Sequence, residues 1–113
     1  MIIHKELADG RWFKLSLMEQ LANVGSDVIR AINWKKKGNL EASQAAFFRA
    51  LELMTFTIMD KKNHRRCRLR ELTRAREVMI DYFVYDNQYG STDALWEQYF
   101  LGFNYIAALQ RGR

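Results

Sequence analysis

Residues with reactive side chains are few in this chain, and their spacing decides how much chemistry they can do. Cys67 stands among Arg65, Arg66, Arg68 and Arg70, a setting in which neighbouring cations favour the thiolate. A phosphatase-like loop would want its arginine where Thr73 stands, and Arg74 comes one position late. Cys67 is therefore read as a packed or incidental thiol. The two histidines, His4 and His64, lack the Glu-x-x-His partners of a di-metal bundle, so no metal or cofactor is assigned. Arg70, Arg74, Glu77 and Asp81 recur at helical spacing, a pattern more typical of a salt-bridge ladder than of a catalytic set. His64 has the chemistry of a general base, yet no nucleophile, base and orienting group can be named together. The chain reads as non-catalytic.

Charge is the stronger signal. Between Lys61 and Arg76 stand eight Lys or Arg against one acid, Glu71, so the window carries +7 and the remainder −2 within a formal total of +5. Arginines beside the unpaired N–H groups of a helix start suit phosphate. The candidate anion or nucleic-acid residues are Lys61, Lys62, Arg65, Arg66, Arg68 and Arg70. No glycine-rich phosphate loop or aromatic stacking motif accompanies them, so binding of RNA or DNA would be electrostatic and salt-sensitive. An acidic protein surface, or simply a solvated face, is the other reading of such a run.

The elements that must position these groups are helices. The chain has 113 residues and no proline, where average usage would give about five or six, and interior proline is what long helices exclude. Its 49% hydrophobic and 27% charged residues fit one ordinary folded domain spanning 1–113. No apolar run is long enough for a membrane span, the start MIIHKELADG lacks a secretory apolar run, and a single cysteine suits a reducing cytoplasm. Apolar periodicity predicts helices over about 11–37, 40–62, 65–85 and 92–110. Asp9 is the candidate cap of the first helix, Asn39 of the second, and Ser91 or Thr92 of the fourth. Inward faces are expected at Leu17, Leu21, Val24, Val28 and Ile32, then Phe47, Leu51, Met54 and Ile58, then Leu69, Leu72, Met79 and Phe83, and last Leu95, Trp96, Tyr99, Phe103 and Ile106. Lys35, Lys36 and Lys37 complement the dipole at the first helix's end, and Gly38 stops it. Short connections make sequential helices antiparallel neighbours, so the expected fold is an all-α, up-down-up-down four-helix bundle.

That topology brings the start of the first helix, the turn at Asn63 and His64, and the end of the fourth helix to one pole. Arg11, Lys14, Arg111 and Arg113 then join the central basic run. Gly25 and Gly102 fall at similar heights on neighbouring helices, which predicts a close crossing there. The second helix is apolar nearly all round, and Phe48, Arg49, Glu52, Leu53, Phe56 and Met59 are expected on a second, outward face that joins copies into a homo-oligomer. Arg49 and Glu52 would pair on that face. The fourth helix also carries apolar residues off its core stripe, namely Phe100, Leu101, Tyr105 and Ala108, and is the other surface through which copies are expected to join.

The stretch LMEQLANVGSDVIRAINW leading into AAFFRALELMTFTIMD, in a small, proline-free, basic four-helix chain, resembles two groups of bacterial four-helix-bundle proteins. One is the HEPN group, with its toxin ribonucleases and nucleotidyltransferase partners. The other is the group encoded in ribosomal-RNA intervening sequences, to which retroelement accessory proteins are similar. The likeness spans about Arg11 to Leu109 and implies an oligomeric bundle associated with nucleic acid or a nucleic-acid enzyme. Active HEPN ribonucleases carry an arginine a few residues before a histidine. Neither His4 nor His64 has one at that distance, so the resemblance implies no catalytic residues here. A structural or scaffold protein is the alternative reading, with a ribonuclease-like toxin component lacking that motif behind it.

Overall fold

Four helices follow one another through short connections: α1 (Leu17–Lys36), α2 (Leu40–Met59), α3 (Arg66–Phe83) and α4 (Asp93–Gln110). The computed structural model describes residues 10–111, apart from the side chain of Arg66, and among them there is no strand. The architecture is an antiparallel, up-down-up-down four-helix bundle. No helix among the described residues is long and apolar enough to cross a membrane.

Helix α1 is the spine. Leu21, Val24, Val28 and Ile32 are buried along it as expected, and it packs extensively against both α2 and α4. Gly25 makes the second contact close, since a Cβ there would lie 2.5 Å from Phe100 Cβ. Gly102 does not share that crossing, because a Cβ on it would meet nothing within 4 Å. The Gly25 notch instead receives Phe100, which moves from its expected flank to the centre of the core at 0% exposure. Turning α4 toward Phe100 swings Leu95 and Ile106 out to solvent, against the expected inward stripe.

The helix ends explain most boundary differences. Helix α1 begins at Leu17, later than the expected Arg11, because Ser16 and Glu19 form a reciprocal capping box. The expected cap Asp9 lies outside the described residues. The freed segment makes a 3-10 turn, Trp12–Lys14, that folds Trp12 into the core. Gly38, at φ +81°, and Asn39, which accepts from Ala42 N at 3.0 Å, separate α1 from α2. Thr92 caps α4 by accepting from Leu95 N at 3.1 Å.

Ion pairs tie the pole opposite the basic run. Lys35 Nζ lies 3.1 Å from Asp93 Oδ1 and donates to Tyr82 Oη at 2.9 Å, and the Tyr82 hydroxyl donates to Asp93. Lys36 reaches Glu97 at 3.3 Å. Desolvation pulls the Asp93 pKa up, but hydrogen bonds from Tyr82 and Lys35 outweigh it and hold the carboxyl below its ordinary value. Asp81 is not part of a surface ladder. It is buried and accepts from the Gln88 and Tyr89 amides at 2.9 and 3.1 Å, which shapes the connection to α4. Among the described residues no ion pair joins Arg70, Arg74 and Glu77, and Arg74 lies over the Tyr89 ring instead, 5.0 Å from its centroid.

Helix α3 packs more lightly on α2, and few backbone positions of α3 and α4 come close. The seam between α3 and α4 is an open groove of about 350 Å³ lined by Ala75, Val78, Trp96 and Tyr99, with the exposed Leu95 at its edge. Burial, with the Glu71 carboxylate nearby, pushes the Tyr99 phenol up to about 12.

Candidate nucleic-acid interface

The basic pole is assembled by a buried polar knot that joins chain segments 40 to 45 residues apart. Trp12 Nε1 donates to Thr57 Oγ1 at 3.2 Å. Gln20 Nε2 donates to the Trp12 carbonyl at 3.1 Å and to Asp60 Oδ2 at 2.8 Å. Asn63 Nδ2 donates to Gln20 Oε1 at 3.0 Å and to the Thr57 carbonyl at 2.9 Å. Gln20, Thr57 and Asn63 are wholly buried, so these bonds replace water that the groups would otherwise keep.

The knot also explains why α2 stops at Met59 and not at Lys62. Asp60 leaves helical geometry, accepts from Lys62 N at 3.2 Å, and opens a 3-10 turn over Lys61–Asn63 that carries Asn63 inward. The fourth helix joins the same pole through Ser16 Oγ, which donates to Gln110 Oε1 at 2.8 Å. Desolvation pulls the Asp60 pKa upward, but hydrogen bonds from Lys62 and Gln20 prevail and hold it below its ordinary value.

The six candidate cations do not share one fate. Lys61, Arg65 and Arg68 are exposed and make no ion pair with another described residue. Lys62 is exposed as well, but its ammonium also serves as a latch, pairing with Asp60 and donating to the Phe13 carbonyl at 3.0 Å. Arg70 is exposed on the outer strip of α3 that Cys67, Thr73, Arg74 and Glu77 also line. Arg66 opens α3, and its side chain is outside the description. Arg11, Lys14 and Arg111 are exposed on the segments that the knot and the Ser16–Gln110 bond bring to this pole, while Arg113 lies outside the described residues.

Electrostatics at the start of α3 are one-sided. Arg65 occupies the cap position without a side-chain hydrogen bond to the helix, and the first turn holds no acid. The positive end of the helix dipole thus meets added positive charge, an arrangement that an anion relieves. His64 Nε2 lies 2.6 Å from the Ile58 carbonyl, which sets that nitrogen as the protonated one. Among the described residues no group of three His, Cys, Asp or Glu gathers as a metal site.

Two of the six expected interface residues on α2 are corrected. Leu53 and Phe56 are buried in the core at 4% and 9% exposure, leaving Phe48 and Met59 as the outward apolar residues of that set. Arg49 reaches across to α1, 3.7 Å from Asp27 Oδ1, so it is committed within the bundle. Phe47 and Met54 face inward as expected, while Leu51 and Ile58 are only half-buried at its edge.

Sequence reasoning missed Trp12, Gln20, Thr57 and Asp60. The one usable signal was the Ser16-x-x-Glu19 capping box, which moves the start of α1 and frees Trp12 to fold back. Comparison of the chain with protein-family models, with curated proteins and with solved structures found no match in any of the three.

Proposed function

We propose that this chain is a non-catalytic helical-bundle module whose basic pole binds nucleic acid through its phosphates. One observation carries the reading: Lys61, Arg65 and Arg68 are exposed without an ionic partner among the described residues, around a helix start that has neither cap nor acid. Arg30, Lys35, Lys36 and Arg49, away from this pole, are each within ion-pair distance of a carboxylate. A set of cations left unpaired on one pole matches a polyanion whose charges repeat at short intervals. The HEPN and intervening-sequence resemblance points the same way, and the missing arginine–histidine spacing favours binding over cleavage.

The test is a fluorescence-anisotropy titration of labelled RNA and DNA duplexes over a salt series from about 50 mM to 200 mM. Binding should weaken linearly on log–log axes, and the K61Q/R65Q/R68Q variant should lose roughly two to three units of that slope. Absence of binding at the lowest salt, or an unchanged slope in the variant, rejects the reading and leaves the scaffold alternative.

A further inference from the structure

Thirteen consecutive residues of α4, from Gln98 to Gln110, carry no formal charge. The helix's only charged groups, Asp93 and Glu97, turn toward α1 and its lysines. With Trp96, Phe100 and Ala107 buried, the opposite face must meet water. On it Leu95, Leu101, Tyr105, Ile106 and Leu109 are 57, 62, 68, 41 and 49% exposed. Gly102 stands in the middle of this face with open space above it, in a shallow depression bordered by Gln98, Leu101 and Tyr105.

We propose that this face of α4 is the contact surface for a second copy of the chain, the two α4 helices crossing antiparallel about a two-fold axis near Gly102. Three arguments select that occupant. The first is area. Five large side chains at about half exposure offer on the order of 100 Å² each, so the patch reaches roughly 500 Å² and two of them together bury about 1,000 Å². That is the lower bound for a specific dimer, and one helix face suffices to reach it.

The second argument is charge. A molecule of net charge +5 repels its own copy, and an uncharged face is where that repulsion is least. An antiparallel crossing also sends the two basic poles to opposite ends of the pair. An acidic partner protein, by contrast, would find nothing ionic here to pair with. The third is shape: a two-fold contact must be complementary to itself. The Gly102 notch beside the Leu101 and Tyr105 ridges meets that condition, since each ridge can enter the other copy's depression. Helix α2 offers no equal surface, because its exposed Phe48 and Met59 stand eleven residues apart with half-buried Glu52 and Thr55 between them.

This proposal does not depend on nucleic-acid binding. Sedimentation equilibrium on the full chain at micromolar to high-micromolar concentration should give twice the chain mass of 13.4 kDa. L101K/Y105K should weaken the dimer about a hundredfold by placing charges on the axis. Both positions are exposed, so its helical circular-dichroism signal should match the parent's. F48K/M59K should leave the dimer intact, and so should K61Q/R65Q/R68Q. A monomer at every concentration overturns the proposal, as does a dimer that survives L101K/Y105K or one that F48K/M59K dissociates.

Discussion

Asn63 gives both of its amide hydrogens to buried acceptors, the Gln20 side chain and the Thr57 carbonyl. Asn63→Ala leaves the Gln20 oxygen unpaired away from water and takes one of two bonds from the Thr57 carbonyl, which keeps the Asp60 amide; it should cost about 2–3 kcal/mol, read as a lower urea midpoint at unchanged slope. The carboxylates of the two poles set the acid limb of stability. Asp60 and Asp93 are both held below the ordinary 3.8, so the folded state takes up their protons less readily than the unfolded chain. Their contribution is complete above that value and is lost as pH falls through the lower folded values. Thermal melts should therefore fall in acid, and Asp60→Asn should flatten part of that fall. Tyr99 works in the opposite sense. Its phenol is raised from 10.0 to about 12, so folding is favoured fully below pH 10.0 and loses stability as pH rises toward about 12. Tyr99→Phe should flatten that alkaline limb.

Two glycines at the element scale separate what periodicity reveals from what packing decides. Gly25→Ala must displace Phe100 and should cost about 1–3 kcal/mol by overpacking. Gly102→Ala meets open space and should stabilise dilute, monomeric protein by up to about 1 kcal/mol through helix propensity. Denaturant melts of the two variants should move in opposite directions. Both glycines look alike in the sequence, and only the rotation of α4 tells them apart. Helix number, order and the inward stripe of α1 were legible, because four long apolar periods and the Gly38–Asn39 stop are local signals. The stripe of α4 was not, because Leu95, Phe100 and Ile106 are equally apolar and the choice among them rests on the notch in α1. The basic pole was legible as charge but not as structure. Nothing local shows that Lys62 turns back to Asp60 and Phe13 while its neighbour Lys61 makes no ion pair with another described residue.

The bundle as a whole is unevenly packed. Helix α1 has close neighbours on two sides, while α3 leans on α2 and faces α4 across a groove. Amide hydrogen exchange should accordingly find α3 opening at lower free energy than α1, with protection rising toward the Tyr82–Asp93 tie at its far end. The polar knot adds an order of events. Gln20 and Asn63 are 43 residues apart, whereas Ser16 and Gln110 are 94 apart. A chain synthesised from its N-terminus can tie the knot as soon as its first two helices and the following turn have emerged. The last turn of α4 docks only when the chain is nearly finished. An isolated peptide over Lys61 to Arg76 would keep the charges and lose the arrangement, since so short and like-charged a helix is not stable alone.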